Sequence, residues 1–302
     1  MDESSQPSYI VKAVLSPRGK PRGEIMSSKM ILVVAVALVV VVAAVGVYFI
    51  MGNDKEDPNE ITFLIEDNEG VYFWITGTGE TGEDALIDAA KKSDVELIYT
   101  SQSWGMYLTG INGLEGDLES STSWGLFVYE DNEWAESQVG ISTLVSADYD
   151  YAGWFFGIPD ENYVMPLPEV IPDVKDAKAW DKSTNGVVFT IESPSGMYFR
   201  VNGSGDTVYD AMVSADSKYN MDFVGSDGPS GKGIDSLFGY GQIQDSGIWY
   251  WWSTYVLDES QNDWESSNAY IGTIPSSEAS QICFIYKNTG ITLEPSAPVY
   301  KA

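Results

Sequence analysis

Aromatic side chains are the chemical surplus of this sequence, whose 302 residues include 10 Trp, 18 Tyr and 11 Phe but no His. Such rings either fill a core or offer flat π faces to a ring-shaped ligand or a sugar. Trp249, Tyr250, Trp251 and Trp252 are consecutive, so a strand through them sends alternate rings to opposite faces. At least two should then lie on a face that no helix covers. Trp124, Trp134, Trp249 and Trp264 recur between two halves of the chain, which favours a role in the fold first. Trp104, Tyr240 and Trp251 have no counterpart and are freer to serve one half. These seven residues are the candidate ligand-binding set, and core packing is the competing role for each.

The remaining chemistry is mostly excluded. Without His, zinc hydrolases and Ser-His or Cys-His nucleophile systems lose an essential part. Cys283 is the single cysteine, so no intrachain disulfide forms and stability must come from a packed core. A formal charge of −29 repels phosphates and argues against nucleic-acid partners. The stretch GSDGPSGKG from Gly225 lacks the first glycine of a phosphate loop and has Gly233 where Ser or Thr should follow Lys232. Asp148 and Asp150, or Asp227 and Asp235, could hold calcium, but their spacing matches no EF-hand loop and reads as solvated acidic turns. Paired glycosidase-type carboxylates cannot be singled out among so many acids. Asn202-Gly203-Ser204 is an acceptor sequence for glycan. No cofactor or metal site is expected.

Two features of organisation position the aromatics. The first is the uncharged run Met30–Met51, long enough at ~33 Å to cross a bilayer as a helix. Lys12, Arg18, Lys20, Arg22 and Lys29 precede it, whereas Asp54, Glu56, Asp57 and Glu60 follow it. The expectation is a single-pass signal-anchor with residues 1–29 as a cytoplasmic tail and everything after the span extracellular. A cleaved leader starting at Met26 is the alternative.

The second feature is a duplication. Residues from Ile61 align without a gap on those from Val187, 126 positions on, and a four-residue insertion later shifts the offset to 130, where Trp134 meets Trp264. In each copy, alternation predicts a hairpin, Ile61–Ile65 with Val71–Ile75 and Val187–Ile191 with Met197–Val201. Thr81 and Thr207 stand three residues before Asp84 and Asp210 and should cap a helix with Ala85, Leu86 and Ala89, or Ala211, Met212 and Ala215, inward. Strands are expected at Val95–Tyr99, Trp124–Tyr129, Gly140–Leu144 and Tyr151–Phe156, matched by Met221–Gly225, Trp249–Thr254, Tyr270–Ile274 and Ile282–Tyr286. The fold class is α+β: domain 1 at 61–157, a Pro-rich linker at 158–184, domain 2 at 185–288 and a tail at 289–302 that hangs free or braces the second domain.

The helix entered through TGEDAL or TVYDAM, the segment GMYLTGINGL, the Trp-led strand SWGLFVY running to Trp134, and a closing apolar strand together resemble a known family. It is the domain shared with the C-terminal β-domain of transcobalamin and intrinsic factor, in the soluble-ligand-binding β-grasp group. The resemblance covers both copies and is closer in the first; the second reads ESQNDW for EDNEW and loses the turn after the Trp-led strand. It implies two tandem β-grasp-like domains, and it implies a corrinoid such as cobalamin as candidate ligand. The carriers also use a large helical domain, which is absent here. The reading is a non-enzymatic, membrane-anchored surface protein that captures a soluble ligand, with cell-surface proteins or glycans as further candidate partners. The alternative is a structural or adhesive module with no small-molecule ligand.

Overall fold

The computed structural model describes residues 57–301 apart from 118, 173–176, 183–184 and 290–292, so the expected span at 30–51 lies outside the described residues. Among the described residues no helix is long and apolar enough to cross a membrane. The described residues form one compact unit that contains both copies. It is mostly β structure, with two α-helices and several sheets.

The first copy opens with the hairpin β1 (Glu60–Glu66) and β2 (Tyr72–Thr78) and continues into α1 (Gly82–Lys92). A small sheet follows from β3 (Leu97–Gln102), β4 (Gly105–Ile111) and β5 (Leu114–Glu115). The chain then rejoins the main sheet through β6 (Ser123–Glu130), β7 (Glu133–Glu136) and β8 (Tyr151–Gly157). The order is β2-β1-β8-β6-β7, with β1 and β8 parallel at the centre.

The second copy repeats this with β9 (Val187–Glu192), β10 (Tyr198–Gly203) and α2 (Val208–Tyr219), and then β11 (Val224–Gly228), β12 (Gly231–Leu237) and β13 (Tyr240–Gly241). It closes with β14 (Ile243–Asp245), β15 (Ile248–Asp258), β16 (Asp263–Ser267) and β17 (Gln281–Asn288). Here β9 and β17 are the parallel central pair.

Both helices form where the capping residues place them. The Thr81 and Thr207 side chains accept from the backbone N–H of Asp84 and Asp210, and Thr207 completes a reciprocal capping box. Ala85, Leu86 and Ala89, and Ala211, Met212 and Ala215, are all buried as the helical period requires. Close helix-to-strand approach depends on glycine: a Cβ at Gly203 would lie 1.8 Å from the Ala211 carbonyl oxygen, and one at Gly77 2.1 Å from that of Ala85.

Two expected strands are corrected. Gly140–Leu144 is a turn and Ile271–Thr273 a 3₁₀ turn, because these segments serve the helix starts instead of a ladder. The carbonyls of Leu144 and Ile141 accept from Gly82 and Glu83, and that of Ile274 accepts from Val208. First-turn N–H groups that a helix cannot satisfy itself are paired in this way. Ile141, Leu144 and Ile271 are apolar because they are buried there.

The pairing of tryptophans between copies is also corrected. Trp124 donates Nε1–H to the Leu114 carbonyl at 3.1 Å and packs on Phe156; Trp252 donates to Tyr240 at 2.6 Å and packs on Tyr286. The counterpart of Trp124 is therefore Trp252, not Trp249. The insertion divides into two steps of two residues, one before β15 and one in the β15–β16 turn, which is kept and lengthened rather than lost.

Each copy also carries a trailing strap across the outer face of its sheet. In the first, Glu66 accepts from the backbone N–H of Glu169 and Val170, and Trp134 donates to the Val170 carbonyl at 2.6 Å. In the second, Glu192 accepts from Ser296 and Ala297, and Trp264 donates to the Ala297 carbonyl at 2.9 Å. Met165 and Trp180 between the copies, and Ala297 and Tyr300 near the end, are buried. The tail braces the second copy: Gln281 and Tyr300 exchange bonds, and Arg200 donates to the Pro298 carbonyl.

The copies meet through equivalent surfaces. Phe73 and Phe199, 126 residues apart, stack on each other with centroids 5.2 Å apart and planes 9° apart. Tyr72 packs on Phe238, and the equivalent pair, Tyr198 and Asn112, exchanges backbone and side-chain hydrogen bonds. Residue i meets j and its counterpart meets the counterpart of j, which is the signature of an isologous contact. The fully buried Asp67 carboxylate accepts from Ser193 and Ser195 across the junction, and Arg200 pairs with Asp94 at 2.6 Å. One apolar core runs through both copies.

Candidate functional site

The seven aromatics divide by their surroundings. Trp124 and Trp134 are buried with their indole N–H bonded inside the fold, so their rings face neighbours rather than solvent. Trp264 is half-buried and holds the second strap. Tyr240 donates to the carbonyl and carboxylate of Glu69 in the other copy, and its ring packs on Tyr286. Burial and the Glu69 carboxylate push that phenol well above its ordinary range. Trp104 is 61% exposed at the β3–β4 turn, edge-on to Tyr107. Trp249 is 43% exposed at the start of β15, and Trp251, two residues on, is half-buried on the same face.

Only Trp251 and Trp264 of this set are brought to one groove. It begins at the edge of β15, where a cavity of about 290 Å³ is lined by Trp251, Ser253 and Lys287, by Ser266 and Asn268, and on the core side by Ile234, Trp252 and Ile271. A second cavity of about 370 Å³ shares Ser266 and Lys287 and continues past Tyr255 to Trp264, Asp263 and Glu294. Lys287 lies between the aromatics, its Nζ 5.8 Å from the Trp251 ring centroid and 5.4 Å from that of Tyr255. Nζ also donates to the Tyr255 hydroxyl at 3.4 Å, and that hydroxyl donates to the Leu293 carbonyl. Among the described residues no carboxylate pairs with Lys287, in a chain with 45 acidic residues.

The first copy shows what this face looks like when closed. Strand registers match Trp251, Ser253, Tyr255 and Lys287 to Ser123, Gly125, Phe127 and Gly157. The strap residue Met165 fills the space: its Cγ lies 2.9 Å from where a Cβ on Gly125 would be, its Cε 3.7 Å from that position on Gly157, and its sulfur 3.6 Å from the Ser123 hydroxyl. Leu64, Trp74, Phe127, Trp134, Phe155 and Met165 form a closed apolar cluster there. In the second copy the glycines are replaced by a serine and a lysine. Sequence reasoning missed Ser253, Tyr255, Ser266 and Lys287, because their significance is visible only once the two registers are aligned.

Other candidates are weaker. A cavity of about 490 Å³ is lined by Lys92, Lys178 and Lys218 with Glu60 and Asp181. Lys92 and Lys218 lie in the last turns of α1 and α2, where a cation offsets the carbonyl end of the helix dipole, and Lys92 pairs with Asp88 at 2.7 Å. No group of three or more His, Cys, Asp or Glu able to hold a metal occurs among the described residues. The glycan acceptor reading of Asn202 is corrected: its side chain is 1% exposed, donates to the Asn185 carbonyl and accepts from Tyr219.

No family model matches the chain, and no curated protein matches it. Among solved structures, that of haptocorrin in complex with Cbi is similar over 34% of this chain, at 19% identity and a TM-score of 0.27. The chain spans about a quarter of that protein, since 26% of it is covered. A likeness of this extent establishes neither the fold nor a ligand.

Proposed function

We propose that the chain is a non-enzymatic capture protein, anchored in the cell membrane through residues 30–51 with its N-terminus cytoplasmic and its folded part extracellular. The soluble ligand binds on the second copy, and the corrinoid implied by the transcobalamin-like resemblance is the first candidate. The observation that carries the reading is the aromatic and cationic groove of the second copy, which no described residue fills, beside its equivalent in the first, which Met165 fills. A mixed sheet crossed by one helix in each copy supports the β-grasp assignment. The lack of catalytic equipment supports capture over catalysis. No His is present, and Cys283 is fully buried with its thiol pushed up by burial, so it offers no nucleophile. Titrating the full chain in detergent with cobalamin and cobinamide by calorimetry tests the ligand: saturable heat supports corrinoid capture, and none at millimolar ligand removes it.

A structural or adhesive role is the second reading, favoured by the core that runs through both copies and by the buried indoles of Trp124 and Trp134. It predicts that substitutions at Trp251 and Lys287 leave all binding unchanged.

A further inference from the structure

Resting on the capture reading, we infer that the second-copy groove is a site for an acidic sugar, a pyranose ring that bears a carboxylate. Three sets of groups converge. The Trp251 ring supplies an apolar face for the C–H side of a sugar ring. Lys287 supplies a positive charge that no described carboxylate neutralises, held beside the Tyr255 hydroxyl and the Trp251 and Tyr255 rings, and it is the local attraction that offsets the repulsion of an anion by the acidic chain. Ser253, Thr254, Ser266, Ser267 and Asn268 line the same cavity with hydroxyl and amide groups suited to a polyhydroxylated ligand. Its volume, about 290 Å³, is at the lower end of small-molecule clefts.

The sheet edge adds a fourth group. Strand β14 pairs with β15 as far as Ile243 opposite Tyr250, and β16 takes over at Ser267 opposite Thr254, so no strand pairs with Trp252 on that edge. Thr289 N–H donates to the Trp249 carbonyl, which turns Trp249, Trp251 and Ser253 toward β17 and Trp252 toward the gap. The Trp252 backbone therefore presents a donor and an acceptor at the mouth of the cavity, which Trp252 also lines. At the far end Asp263 and Glu294 set a limit: a second carboxylate reaching past Tyr255 is repelled. The site is thus selective for one negative charge near Trp251.

The test is a titration of the full chain in detergent with sodium glucuronate and, separately, glucose, followed by tryptophan fluorescence and calorimetry. Glucuronate should saturate in the millimolar range and glucose bind about tenfold more weakly or not at all. Lys287→Gln should lose about tenfold for glucuronate while leaving the melting temperature unchanged, and Lys301→Gln should change neither. Equal binding of the two sugars, full affinity in Lys287→Gln, or no glucuronate signal at roughly 10 mM overturns the inference. A cobinamide titration of the same samples separates the two readings. Corrinoid binding without glucuronate binding overturns the acidic-sugar site alone, and binding of neither overturns capture itself.

Discussion

Replacing Phe199 by alanine should destabilise both copies at once. Phe199 is 1% exposed, stacks on Phe73 of the other copy at 5.2 Å and meets Phe238 edge-on at 5.6 Å. Truncating a ring in such a site removes its transfer energy and leaves a cavity, typically about 3–5 kcal/mol for Phe to Ala. For a folded part of this size each kcal/mol lowers Tm by roughly 2–4 °C, so the drop should be on the order of 6–20 °C. Scanning calorimetry and urea unfolding read by tryptophan fluorescence provide the assay. The shared core predicts one transition that moves as a whole. Two transitions of which only one shifts, or a loss below about 1 kcal/mol, would refute the claim that the copies form one cooperative unit.

Three further outcomes follow from particular contacts. Burial raises the Glu66 carboxyl to about 7 from an ordinary 4.5, so its contribution is complete below pH 4.5 and is lost as pH rises through 7. Melts from pH 4 to 8 should show up to about 3 kcal/mol of that loss, and Glu66→Gln should flatten the slope. Trp134→Phe and Trp264→Phe each remove one hydrogen bond to a strap carbonyl. Each should cost about 1–2 kcal/mol and speed limited proteolysis of its own strap only. Gly203→Ala places a Cβ 1.8 Å from the Ala211 carbonyl oxygen and should destabilise by roughly 3 kcal/mol or more, whereas Gly140→Ala, with open space around it, should be nearly neutral in the same urea titration.

The local signals in the sequence were strong where one residue type has one job. Thr81 and Thr207 each precede an aspartate by three positions, and both helices start there. The alternation in Ile61–Ile65 and Val187–Ile191 marked the two central strands with little error. The register of Trp249 to Trp252 was not legible, because four adjacent aromatics fit either pairing and two small insertions look like one. Gly140–Leu144 carries the β-branched Ile141 and Thr143 of a strand, yet Ile141 and Leu144 are buried beneath a helix start, a contact that residue type alone cannot distinguish from a ladder. The straps at Pro168–Val170 and Pro295–Ala297 read as linker and tail, since their binding comes from distant groups, Glu66 with Trp134 and Glu192 with Trp264. The groove was hidden for a related reason: Lys287 becomes informative only when set against Gly157 and the Met165 that covers it.

Hydrogen–deuterium exchange of the full chain with and without saturating ligand tests most directly whether capture resides in the second copy alone. Capture in the second copy alone predicts added protection at 250–254, 266–271 and 285–288 and none at 123–127 or 155–157. Protection in the first copy's matching strands, or at the exposed Trp104 turn with none along β15, would contradict it.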